Sequence, residues 1–182
     1  MIQEFKNVLS VDECDELIQT SKDKLFSATV LGEQIKDYRT AESTWITEKT
    51  ELTDKIKNIV SEKTNLPIEN QEQIHIVKYN IGGEYKVHHD FLHPNTDYFE
   101  SQTKRGGQRR YSCLFYLNDN FLGGETDFPK IEYKVNPKIG KLVVWKNLND
   151  DLTLNYNSLH AGLPVITGQK WICIIWVREN KF

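Results

Sequence analysis

Apolar positions along the chain change their period once, near residue 73. Before it the spacing is helical. Val11, Cys14, Leu17, Ile18 and Leu25 fall on one stripe, and Ser10 with Glu13 three residues on forms a capping box that opens it. Leu52, Ile56, Ile59 and Val60 make the buried face of a second helix over Thr50 to Lys63, which Asn65 and Pro67 end. Residues 26–46, with Tyr38, Arg39 and Trp45, read as a strand or an irregular segment. After Gln73 the segments are short and rich in β-formers: Ile74 to Tyr79, Glu84 to Asp90, Arg109 to Leu117, Lys141 to Lys146 and Trp171 to Arg178. Turns fall at Ile81-Gly82-Gly83, Asn118-Asp119-Asn120 and Gly123-Gly124, and a long polar loop covers residues 91–108. The pattern predicts an α+β fold, a sandwich or jelly roll with the N-terminal helices packed on one sheet.

Composition narrows the classes. A chain of 182 residues suits one domain, divided here into a helical support region, 1–72, and a β core, 73–182. With 38% hydrophobic and 27% charged residues, disordered, collagen-like and coiled-coil readings fall away. The balance of 23 basic against 26 acidic residues argues against nucleic acid as partner. The longest apolar run, Trp171 to Val177, is far short of the ~20 residues that cross a bilayer, so no membrane partner is expected. Cys14, Cys113 and Cys173 form no CxxC pair, and the N-terminus has no signal-peptide stretch. A reducing, cytoplasmic setting fits both observations.

The chemistry gathers around two histidines and an acid. His88 and Asp90 stand two apart on an expected strand and so share a face, with His89 opposite. His160 lies between small residues in Ser158-Leu159-His160-Ala161-Gly162. Two imidazoles and one carboxylate on one face of a metal leave positions open, as in the facial triad of non-haem Fe(II) oxygenases. A zinc hydrolase could use the same ligands, but no motif offers its base. Lys170 opens the apolar strand Trp171 to Trp176, a place where an ammonium needs an anion or a path to solvent.

The run Tyr79-Asn80-Ile81-Gly82-Gly83-Glu84-Tyr85-Lys86-Val87-His88-His89-Asp90 resembles the iron-binding motif of the prolyl 4-hydroxylases. Gly106-Gly107-Gln108-Arg109, Tyr116-Leu117-Asn118-Asp119, Gly123-Gly124-Glu125-Thr126-Asp127-Phe128-Pro129, His160-Ala161-Gly162-Leu163-Pro164-Val165 and Gly168-Gln169-Lys170-Trp171 extend the resemblance, in order, to about residue 178. It implies a double-stranded β-helix (jelly roll) and the chemistry of an Fe(II)- and 2-oxoglutarate-dependent dioxygenase. The co-substrates would be O2 and 2-oxoglutarate, with ascorbate as reductant and a peptidyl proline as target.

By the same resemblance, His88, Asp90 and His160 are the expected iron ligands, and Lys170 pairs with the distal carboxylate of 2-oxoglutarate. Tyr79 and Ser112 contact that co-substrate, Trp176 lines its pocket, and Arg109 and Arg178 face the peptide. Two rival readings remain at this level: the same chemistry on lysyl residues, a free amino acid or another small molecule, and a non-enzymatic metal-binding jelly-roll module. Lys104, Arg105, Arg109 and Arg110 read as a basic rim on the long loop.

Overall fold

Ser10 and Thr50 each start a helix by the same device. The Ser10 hydroxyl accepts from the Glu13 amide at 3.2 Å while Glu13 reaches back to the Ser10 amide at 2.8 Å, opening α1 (Val11–Ser21). Thr50 and Thr53 reciprocate in the same way at the start of α2 (Glu51–Thr64). That helix stops at Asn65, whose left-handed backbone (φ 54°) releases the chain toward Pro67. α2 was legible to within a residue at each end; α1 begins where expected but ends at Ser21, so Leu25 of the expected stripe lies beyond it and Val11 is exposed. Their apolar faces (Cys14 and Leu17; Leu52, Ile56 and Val60) pack on one side of a large sheet. Each fully buried Leu or Ile there contributes roughly 1.5–3 kcal/mol relative to exposure.

The computed structural model describes residues 2–28 and 38–182; the middle of the expected 26–46 segment, residues 29–37, lies outside them. The strands, in chain order, are β1 (Ile2–Phe5), β2 (Phe26–Ser27), β3 (Glu42–Ile46), β4 (Ile74–Tyr79), β5 (Tyr85–His88), β6 (Arg109–Tyr116), β7 (Leu122–Gly123), β8 (Thr126–Phe128), β9 (Tyr133–Val135), β10 (Leu142–Lys146), β11 (His160–Gly162), β12 (Val165–Thr167) and β13 (Lys170–Arg178). A short helix, α3 (Phe99–Thr103), interrupts the loop after β5. An antiparallel seven-stranded sheet has the order β1-β10-β6-β13-β4-β3-β2, and it faces a four-stranded sheet, β5-β11-β8-β9. β12 and β7 pair as a separate ribbon. This is the expected jelly roll, with helices outside its larger sheet.

The division at residue 72 needs correction. β1, β2 and β3 come from the supposed support region and extend both edges of the large sheet. β1 pairs with β10 from Ile2↔Trp145 to Phe5↔Leu142. The first third is therefore part of the barrel as well as its buttress.

Alternation splits the large sheet cleanly. Cys113, Phe115, Cys173 and Ile175 face the helices. Leu114, Tyr116, Ile172, Ile174 and Trp176 face the space between the sheets, together with Val77, Tyr79, Val143 and Trp145. The site is built on that inner face. All three cysteines are free and buried, and no described helix is long and apolar enough to cross a membrane.

Candidate metal centre and substrate cleft

Three side chains, from the end of β5, the turn after it and the start of β11, converge between the sheets. His88 ends β5 and His160 begins β11, directly opposite each other in the antiparallel register. Asp90 follows two residues after His88, buried where the strand has already ended. His88 Nε2 lies 3.6 Å from Asp90 Oδ1, and His160 Nε2 lies 3.6 Å from Asp90 Oδ2. One potential ligand atom from each residue lies within 4.8 Å of the others.

The backbone fixes which imidazole nitrogen is offered. His88 Nδ1 donates to the Lys86 carbonyl (2.7 Å), and His160 Nδ1 donates to the Ser158 carbonyl (2.8 Å). Both Nε2 lone pairs are thereby left facing the carboxylate, the tautomer a metal needs. Burial and the neighbouring His88 push the His160 imidazole down to about 4, so it is neutral near pH 7. Burial alone would raise the Asp90 carboxyl, but His160, His88 and Arg109 outweigh it and hold the group below the usual carboxylate range. Two imidazoles and one carboxylate make an oxygen–nitrogen donor set that fits Fe(II). Trp145 packs against His160 at 4.8 Å between ring centroids, and Tyr85 stacks on His88 at 3.5 Å.

Tyr85 is a residue that simple alternation hides. Between His160↔His88 and Gly162↔Tyr85, β11 advances two residues while β5 advances three. The extra residue is a bulge, and it brings Tyr85 and His88 to the same face. A second bulge acts at the other end of the cleft. From Val177↔Tyr111 to Arg178↔Arg109, β6 spends one residue more than β13. That turns Arg109, rather than Arg110, toward Trp176 and Arg178.

The arginines are consequently tied down. Arg109 forms a fork on Glu72, Nε to Oε1 at 2.7 Å and NH2 to Oε2 at 2.9 Å, and its guanidinium lies 3.8 Å from the Trp176 ring centroid. Arg178 Nε sits 2.6 Å from the same Glu72 Oε1, and its NH1 donates to the Gly107 and Gln102 carbonyls. Arg178, expected to face the peptide, is 2% exposed, holds two backbone carbonyls through Nη1, and lines the cleft beside Arg109. Arg109 is likewise a strut at the cleft wall, not a member of a solvated rim. Arg105 differs again, lying over the Phe182 ring.

Ser112 approaches the metal centre through Asp90. Its hydroxyl donates to Asp90 Oδ2 at 2.6 Å and accepts from Asn147 Nδ2 at 2.9 Å. It stands beside the carboxylate, on the inner face of β6. Lys170 begins β13 opposite Tyr79 of β4. It is 2% exposed, with Nζ 5.1 Å from the Tyr79 ring centroid and 5.7 Å from that of Tyr116. Among the described residues it forms no ion pair, and burial pulls its amine down to about 7 against the raising influence of Glu125. A dry lysine with no acid of its own is a place for an anion.

A cleft of about 1400 Å³ opens onto His88 and Asp90. Its walls include Arg39, Trp45, His75, Tyr85, Arg109 and Trp176, with Asn95 to Tyr98 from the loop after β5. Trp45 stacks on His75 at 4.0 Å, and His75 approaches Trp176 at 5.8 Å. His75, expected only as a strand residue, is thus part of the cleft wall. Its position on β4, two before Val77 and four before Tyr79, was the available signal.

The sequence pattern of the 2OG-Fe(II) oxygenase superfamily matches residues 74–178. A provisionally named prolyl 4-hydroxylase of Acanthamoeba polyphaga mimivirus is 34% identical over 179 residues, covering 98% of this chain and 74% of the relative. Prolyl 4-hydroxylase 5 of Arabidopsis thaliana is 31% identical, covering 98% and 68%. Among solved structures, the viral collagen prolyl hydroxylase of Paramecium Bursaria Chlorella virus-1, in complex with 2OG, superposes with a TM-score of 0.78 at 29% identity, covering 97% of this chain and 95% of that one.

Proposed function

Because the chain belongs to the 2OG-Fe(II) oxygenase superfamily, we propose that it hydroxylates a prolyl residue of a peptide or protein, converting 2-oxoglutarate and O2 to succinate and CO2. The observation that carries the reading is the convergence of His88 Nε2, Asp90 and His160 Nε2, with a buried lysine on the facing sheet that forms no ion pair among the described residues. His88, Asp90 and His160 would hold Fe(II), with ascorbate as its reductant. When bound there, the metal supplies the activation of O2 coupled to 2-oxoglutarate decarboxylation, chemistry that side chains lack.

The protein's own residues bind, orient and keep water out. Lys170 gives the distal carboxylate of 2-oxoglutarate a charged partner in a dry setting, where an ion pair is strong. Tyr79, across the strand from Lys170, adds a phenol beside that carboxylate. Phe128, Trp145 and Tyr85 wall the histidines with rings and exclude solvent. Trp176 and His75 present an apolar wall to the substrate, and Glu72 keeps Arg109 seated on Trp176. The cleft is far larger than a free amino acid requires, which favours a peptide. Three buried free thiols suit a reducing, cytoplasmic setting.

The test is succinate release with Fe(II), 2-oxoglutarate and ascorbate in the presence of proline-rich peptides. Peptide-stimulated release is expected from the parent and none from His160→Ala. Equal release from both proteins would sink the proposal.

A further inference from the structure

Asp90 is held by a two-residue chain of hydrogen bonds that comes from the opposite sheet. β10 turns Val143 and Trp145 inward, and by alternation the next inward position after the strand is Asn147. The first two are apolar and fill the core. Asn147 is fully buried yet polar, and its Oδ1 has no partner among the described residues. Its Nδ2 donates to Ser112 Oγ at 2.9 Å. Ser112, itself fully buried, donates its only proton to Asp90 Oδ2 at 2.6 Å, the length of a charge-assisted O–H···O⁻ bond.

The direction of this chain is fixed. With its oxygen occupied by the Asn147 amide, the Ser112 hydroxyl points at Asp90. Each bond polarises the next. An orphaned amide oxygen in a core is a cost. What the amide accomplishes is the orientation of Ser112. Of the two Asp90 oxygens, the one on the His160 side is thereby engaged by Ser112, and Oδ1, on the His88 side, accepts no side-chain hydrogen bond among the described residues.

We propose that Ser112 and Asn147 are positioning residues that commit Asp90 Oδ2 to the protein and leave Oδ1 as the oxygen offered to the metal. The inference rests on the reading of His88, Asp90 and His160 as a metal site. It assigns Ser112 to the carboxylate, not to 2-oxoglutarate.

The test is Mn(II) affinity, read from the EPR signal of free Mn(II) without 2-oxoglutarate or peptide, alongside the melting temperature of the metal-free proteins. Ser112→Ala is expected to weaken Mn(II) binding by about 10- to 100-fold, the range for loss of a partner that orients a ligand. Ser112→Thr, which keeps the hydroxyl, holds near the parent value. Asn147→Leu weakens binding in the parent background but adds no loss to Ser112→Ala, because its effect passes through the hydroxyl. An Asn147→Leu cost that is equal in both backgrounds, or Ser112→Ala binding as tightly as the parent, overturns the proposal. If Ser112→Ala does not fold, Asn147→Leu alone decides, and an affinity unchanged from the parent overturns it. A parent that binds no Mn(II) contradicts the metal site itself; a parent that binds, with unaltered variants, contradicts only the relay.

Discussion

Lys170 carries the most direct pH dependence. Its amine titrates near 7 in the folded protein because burial disfavours the charge. Below that pH the ammonium is already in place for an anion. Above it the free protein must take up a proton when 2-oxoglutarate binds, so affinity falls as pH rises, by up to about tenfold per unit. Calorimetric titration of the Mn(II)-loaded protein with 2-oxoglutarate, in buffers of different ionisation enthalpy at pH 8, should show proton uptake. Binding without uptake would place the anion elsewhere. Glu72 answers a different question. It is one carboxylate between two buried guanidiniums, and removing one partner from such a cluster costs about 3–5 kcal/mol. Glu72→Gln should lower the urea midpoint by a matching amount, whereas a surface-like cost below about 1 kcal/mol would mean that the cluster is solvated. The metal-site cluster was legible from sequence because residue type and spacing carry coordination chemistry. The partners of Arg109, Arg178 and Ser112 were not, since Glu72, Asp90 and Asn147 reach them only through the fold.

At the scale of elements, helices were easy to read and strand faces were not. A capping box is local, so Ser10 announced α1 in a few residues, while α2 was read from its apolar face and the Thr50–Thr53 cap emerged only in the structure. The bulges in β5 and β6 are set by strand partners far away in sequence. Each adds one residue and reverses the face of everything beyond it, which is why Tyr85 escaped notice and Arg109 was placed on a rim. β1 escaped for a similar reason: four residues gain strand structure only by pairing with β10. Gly140 is the hinge of that junction. It accepts from the Val8 amide at 2.8 Å and adopts φ 71°, and a Cβ there would lie 2.2 Å from the Leu9 carbonyl oxygen. Gly140→Ala should destabilise by about 3 kcal/mol in urea unfolding. A loss within about 0.5 kcal/mol would show that the β1–α1 connection does not depend on this approach.

Across the whole molecule, the two sheets divide the work. The small sheet and the turn after β5 bring His88, Asp90 and His160 together; the large sheet faces them with Tyr79, Lys170 and Trp176; and the helices support that sheet from outside. The change of period at residue 73 left a sandwich or a jelly roll open, the family resemblance pointed to the jelly roll, and the extension of the large sheet by N-terminal strands was not legible, because such pairing leaves no local pattern. The claim that this arrangement is a prolyl oxygenase meets its most direct test in isotopically heavy O2. With Fe(II), 2-oxoglutarate, ascorbate and a proline-rich peptide, mass spectrometry should find a hydroxyproline carrying the heavy oxygen, made by the parent and absent with His160→Ala. No hydroxylated proline, or one whose oxygen comes from water, would contradict it.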